Sequence, residues 1–180
     1  MNPGIFFIFF IPFFIGITAL ISFISGWGEL AKYYRYHGQQ IDKKRYMQSA
    51  VMRGVTGYRG CLTVGANTEG LYLSVFFLFR PAHPPLFIPW NEIKIRRTKF
   101  FVFKLLEMRF TRATSVTLAV YESLEGFLQS ASVRPLPFAT EQEAAGMSSN
   151  LNWYWWVSVI AGVIGLIAAL CAILFIPHKT

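Results

Sequence analysis

Charge is nearly absent from both ends of this 180-residue chain, and that constrains its fold more than any other feature. Residues 1 to 28 carry no charged side chain, and residues 151 to 180 carry only Lys179. Ile5 to Ser25 is an apolar run of about the ~20 residues a spanning helix needs. Val157 to Ile176 is a second, opened by the aromatic group Asn152-Trp153-Tyr154-Trp155-Trp156 that suits a membrane interface. The first run has no basic stretch before it and no small-x-small site after it, so it reads as an anchor and not as a cleaved signal. Pro12 is expected to kink it.

The fold expected is therefore membrane α plus β. Two transmembrane helices, residues 1–28 and 151–177, flank a basic juxtamembrane helix (29–46), a small antiparallel β domain closed by one amphipathic helix (47–133) and a linker (134–150). Sixteen of the seventeen Lys and Arg and all nine Asp and Glu lie between them, which leaves the middle at +7 of a total of +8. Lys32, Arg35, Lys43, Lys44 and Arg45 follow closely on the first run, in the window where cations set orientation. That places the middle in the cytoplasm and both termini outside, in a plasma or inner membrane. Cys61 and Cys171 fall in a strand and a membrane helix, so no disulfide framework is expected.

Within the middle, periodicity separates strands from helices. The juxtamembrane helix runs from Glu29 to about Gly38. Strands are expected over Gln48–Val55, Cys61–Ala66, Gly70–Phe79, Leu86–Trp90, Asn91–Arg96, Phe101–Arg109 and Val116–Tyr121. Leu124, Phe127, Leu128 and Ala131 then stand at i, i+3, i+4 and i+7, the stripe of a short covering helix. Arg80-Pro81-Ala82-His83-Pro84-Pro85 must be a loop, because proline has no amide to give a ladder.

Candidate binding surfaces are of three kinds. Arg53, Arg59, Lys94, Arg96, Arg97 and Lys99 are cations that could meet anionic lipid headgroups. Small residues recur at helix spacing at Thr18, Ser22 and Gly26 in the first run and at Ser158, Ala161, Gly162, Gly165 and Ala169 in the second. Such stripes let membrane helices pack closely, within one chain, in a homo-oligomer or against other membrane proteins. Phe76, Phe77 and Phe79 form an apolar run that either covers a core, the favoured use, or meets lipid or a partner. His83 and Trp90 flank the proline loop, either as a recognition corner or, the favoured reading, as a stiffened turn whose Trp90 fills the core.

Chemistry is conspicuous by its absence. His37, His83 and His178 are too scattered for a metal set, no phosphate loop or Cys-x-x-Cys occurs, and Glu122 with Glu125 reads as a solvated helix face. No enzyme activity and no cofactor are expected. Nucleic acid is disfavoured, since no stacking platform interleaves the cations.

Cys61-Leu62-Thr63-Val64-Gly65-Ala66-Asn67-Thr68-Glu69-Gly70-Leu71-Tyr72-Leu73 resembles the hairpin of GRAM and bacterial PH-like domains, and Ile88-Pro89-Trp90-Asn91-Glu92-Ile93 is similar to a later strand of that family. The resemblance spans about Gln48 to Ala131. It implies a PH-like sheet closed by a helix, and binding of lipid headgroups or peptides. The cation pattern that inositol-phosphate binders carry between their first two strands is represented only by Arg53 and Arg59. The reading that follows is an adaptor, assembly factor or accessory subunit of a membrane complex. A sensor of anionic lipid headgroups is the alternative.

Overall fold

The computed structural model describes residues 3–100, 102–132 and 135–146. The apolar N-terminal run forms one helix, α1 (Pro3–Ser25), which continues through Pro12. At Gly26, with φ +79°, the chain turns by 71° into α2 (Trp27–Tyr33). A side chain could not replace this glycine cheaply. Its Cβ would sit 2.7 Å from both the Arg53 guanidinium and Val116, in a backbone region that costs L-residues about 1–2 kcal/mol.

Seven strands follow: β1 (Lys43–Met52), β2 (Thr56–Ala66), β3 (Gly70–Val75), β4 (Leu86–Pro89), β5 (Ile93–Phe100), β6 (Phe103–Phe110) and β7 (Thr117–Tyr121). They make one antiparallel sheet in the order β4-β3-β2-β1-β7-β6-β5. The sheet curls, because one hydrophobic core gathers Leu86 and Ile88 from one end with Ile93 and Ile95 from the other. β1 turns the corner. Its last residues, Ala50 to Met52, pair with both β2 and β7, whereas its first half pairs only with β2 across register shifts at Arg45/Gln48 and Gln48/Ala50. Bulges of this kind bend a strand and increase its twist.

The helix α3 (Glu125–Ala131), entered through a 3-10 turn at Glu122–Leu124, closes the curled sheet. Leu124, Leu128 and Ala131 are buried and Phe127 packs beside them, which is the stripe the sequence carries. A further short helix, α4 (Glu141–Gly146), lies in the segment read as a linker.

Both sheet edges are covered by the chain itself, which removes the open ladders that invite edge pairing. At β4, Phe87 donates to the Tyr34 carbonyl at 2.8 Å and Tyr36 to that of Pro85 at 2.9 Å. That pairing ends α2 at Tyr33, short of the Gly38 expected as its terminus. At β5, Ile95 donates to Pro137 at 2.9 Å and accepts from Ala139 at 2.8 Å.

Boundaries shift elsewhere for local reasons. β1 starts at Lys43, earlier than expected, and stops at Met52, because Arg53 and Gly54 take positive φ. β3 leaves the sheet after Val75, and Phe77–Phe79 form a 3-10 turn in place of the expected strand end. Trp90–Glu92 is likewise a 3-10 turn, which delays β5 to Ile93.

The architecture observed is α plus β. Among the described residues no single helix is long and apolar enough to cross a membrane. The bent pair Phe10–Ser25 and Trp27–Tyr33 passes that test jointly, by length and composition. The flanking of the sheet by two membrane helices therefore remains a reading of hydropathy. Residues 151–177, with Ser158, Ala161, Gly162, Gly165, Ala169 and Cys171, lie outside the described residues.

Candidate functional site

The feature that organises the molecule is a polar and aromatic seam between the end of α1 and the proline loop. Thr18, Ser22 and Ser25 are buried, although α1 is otherwise apolar and largely exposed. Ser22 Oγ donates to the Ala82 carbonyl at 2.5 Å, and Trp27 Nε1 donates to that of Pro84 at 2.8 Å. Pro81, Pro84 and Pro85 have no amide to donate, and within the loop His83 donates to the Arg80 carbonyl at 2.8 Å, which leaves the Ala82 and Pro84 carbonyls to accept these bonds. Trp27 is fully buried, with its ring 5.6 Å from that of Tyr58 and 5.4 Å from that of His83. A buried aromatic of ~150–250 Å² contributes about 4–6 kcal/mol at ~25 cal/mol per Å².

Beneath the tryptophan runs a hydrogen-bonded chain. Tyr58 Oη lies 2.9 Å from Ser25 Oγ and 3.0 Å from His83 Nε2, and His83 Nδ1 lies 3.2 Å from the Pro81 carbonyl. That carbonyl can only accept, so Nδ1 carries the proton of the neutral ring. Burial lowers the His83 pKa, and burial raises that of Tyr58 to about 12. Both groups are thereby held neutral near pH 7. Cys61, close by on β2, has its thiol pushed up by burial as well, which disfavours the reactive thiolate.

A second link ties the helix bend to the sheet. Arg53, at the β1–β2 turn with φ +50°, pairs with Glu29 of α2 and donates to Ser115 Oγ at 2.7 Å. Its other nitrogen reaches the Ile24 carbonyl at the end of α1, at 3.5 Å. Ser115 lies 2.7 Å and 2.9 Å from the two Glu29 oxygens. The small residues Ser22 and Gly26 are thus used against this chain's own domain: one bonds the proline loop, and the other admits the Arg53 guanidinium.

The cations singled out from the sequence do not form one basic face. On β5, alternation sends Lys94 and Arg96 outward with respect to Ile93 and Ile95, and places Arg97 on their side of the sheet. Lys94 pairs with Glu143 of α4 and holds its carboxyl below the usual range. Arg96 binds Glu107 at 2.5 Å, and Arg109 reaches the same carboxylate at 3.2 Å. Glu107 is only 1% exposed, so the two guanidinium groups balance a buried charge that would otherwise be costly. Arg97 grips Glu125 of α3 with two bonds, 2.6 and 3.2 Å, which raises its own pKa, and lies 4.2 Å over the Phe138 ring. Arg59 and Lys99 are exposed and form no ion pair among the described residues.

The apolar candidates also separate. Trp90 packs against the core and donates Nε1 to the Asn67 carbonyl at 3.0 Å, a structural role. Phe79 packs on the core and its ring lies 5.9 Å from that of Phe14 in α1. Phe76 and Phe77, expected under core cover, are instead 50% and 67% exposed, and Leu78 is 51% exposed. Leaving the sheet at Phe76 is what turns them outward.

His83, which the sequence marks only as a flank of the proline loop, carries the seam and the buried charge together with Tyr58, Glu29, Ser115 and Glu107, four residues to which sequence reasoning assigns no role. Only Glu107 left a signal, a lone carboxylate amid the alternating apolar residues of β6. Among the described residues no three His, Cys, Asp or Glu side chains are grouped so as to hold a metal ion. No family model, curated protein or solved structure matches this chain.

Proposed function

We propose that this chain is a non-catalytic integral membrane protein that presents a PH-like domain as an adaptor, assembly factor or accessory subunit of a membrane complex. The strand order, with a helix closing a curled seven-stranded sheet, is compatible with the PH-like resemblance. The observation that carries the reading is the seam. Ser22 and Ser25 of α1 and Trp27 of α2 bind Ala82, Tyr58 and Pro84, so that the bent helix pair and the domain pack as one piece. A recruitment module needs a flexible tether; a subunit that must hold its surface at a set height and angle needs a fixed one. In this reading α1 and residues 151–177 anchor the domain on the cytoplasmic side, with both termini outside.

Headgroup sensing by the basic strip is less well supported, because Arg53, Lys94, Arg96 and Arg97 are all paired with carboxylates of the same chain. The test is alkaline carbonate extraction of membranes holding the tagged full chain, then mild-detergent purification with sizing and mass spectrometry. Retention in the membrane and stoichiometric co-purification of other membrane proteins are expected. Release by carbonate would refute the anchoring, and a lone monomer would refute the subunit role.

A further inference from the structure

We propose that the Phe76-Phe77-Leu78 turn, flanked by Arg59 and Arg80, is a second membrane contact that inserts beside α1 into a leaflet containing anionic lipid. This deepens the anchoring reading and rests on it. Three exposed apolar side chains in succession are costly in water, and here the Phe76 and Phe77 rings pack on each other at 4.6 Å to form a single knob. Its position comes from Phe79, which turns back from the knob onto Phe14. Phe14 stands eleven residues before the end of α1 at Ser25, about 16 Å along the helix at 1.5 Å per residue. If α1 spans a hydrocarbon layer of about 30 Å, a turn that touches it at that height lies within the same layer or its interface.

The surface around the knob continues the same character. Phe10, Ile11, Phe13, Ile15 and Ile17 of α1, within about one turn of Phe14, are exposed and apolar, so the turn meets the helix at an apolar stretch.

The backbone is suited to that place. Phe76 donates to the Cys61 carbonyl at 2.7 Å, Phe79 to Phe76 at 2.9 Å and Arg80 to Phe77 at 3.2 Å, which satisfies three of the five amides from Phe76 to Arg80 within the protein. Charge fits too. Arg80 ends the 3-10 turn, and Arg59 lies on β2 two residues before the Cys61 that Phe76 pairs with. Both are exposed and neither forms an ion pair among the described residues, in contrast to Lys94, Arg96 and Arg97 of β5. Their long stems can lie along the apolar layer while the guanidinium groups reach lipid phosphates.

The experiment uses the full chain with Cys61 and Cys171 replaced by alanine, reconstituted in vesicles of phosphatidylcholine and phosphatidylserine. One environment-sensitive fluorophore is placed at Leu78→Cys, at Ile17→Cys as a helix control, or at Asp42→Cys as an aqueous control. A blue-shifted Leu78 emission that is lost with lipid-borne quencher, as at Ile17 and unlike Asp42, is expected. Arg59→Glu with Arg80→Glu should return the Leu78 label to a water-like spectrum and leave Ile17 unchanged. A water-like Leu78 label beside a quenched Ile17 label would overturn the insertion while α1 remains an anchor. Water-like spectra at both positions would overturn the anchoring itself. A blue-shifted Leu78 label that lipid quenchers do not reach would place the knob against protein, which also overturns the proposal.

Discussion

Replacing Glu107 by glutamine asks whether Arg96 and Arg109 are structural or available to lipid. Glu107 is 1% exposed, and the side chains of Arg96 and Arg109 retain 16% and 27% exposure. Removing one member of a buried ion pair costs about 3–5 kcal/mol, because the remaining charge is left uncompensated. Here both guanidinium groups touch solvent, and the new amide oxygen still accepts one bond, so the lower end, about 3 kcal/mol, is expected. For a chain of this length that is a fall in Tm of about 6–12 °C, at ~2–4 °C per kcal/mol. Thermal unfolding of the full chain in detergent micelles, followed by circular dichroism, measures it. Repeating it in Arg96→Met and in the double variant isolates a coupling of about 1–3 kcal/mol, as expected for contacting charges. A fall under about 2 °C with no coupling would refute the reasoning. Glu107 would then be effectively solvated, and its pairing would not be what holds Arg96.

The seam makes stability depend on pH. His83 has a folded pKa below its ordinary value because it is buried. The unfolded chain therefore binds the proton more readily, and this contribution is complete above about pH 6.5 and is lost as pH falls toward the folded value. Melting of the native chain and of His83→Phe at a series of pH values should show an acid-side loss only in the native chain; parallel profiles would exclude His83 as its source. At the other extreme, Tyr34 and Tyr58 are both raised to about 12, chiefly by burial. Their stabilising effect is present below about pH 10 and fades as pH rises toward 12, so alkaline tyrosinate absorbance should show a late step of two residues. Tyr34→Phe and Tyr58→Phe should each remove one of them. Gly26→Ala should lower stability by about 1–3 kcal/mol through its left-handed backbone alone. Gly28→Ala, where a Cβ meets nothing within 4 Å, is the control, and equal melting of the two would exclude the strain.

Much of the β domain was legible because its signals are local. The stripe Leu124, Phe127, Leu128 and Ala131 has a helical period, and Ile93, Ile95, Lys94 and Arg96 alternate as a strand must, so the elements could be placed before any contact was known. Ends were less legible, since they depend on partners far along the chain. Tyr34 leaves its helix because its carbonyl is needed by Phe87, and Phe76 ends β3 where the ladder gives way to a turn. The cations were legible as cations only; that Arg97 faces Glu125 and Arg96 faces Glu107 depends on strand register and on where α3 packs.

By itself the sequence determined the two apolar ends, the basic middle between them, the run of short strands and the covering helix, because hydropathy and period are properties of neighbouring residues. Tertiary structure alone decided that the bend between α1 and α2 docks on the proline loop through Ser22 and Trp27, that His83 and Glu107 are buried, and that Phe77 and Leu78 face outward. Those outcomes turn on the close approach of groups dozens of residues apart, and whether a polar or apolar side chain is stable where it lies is set by what packs around it.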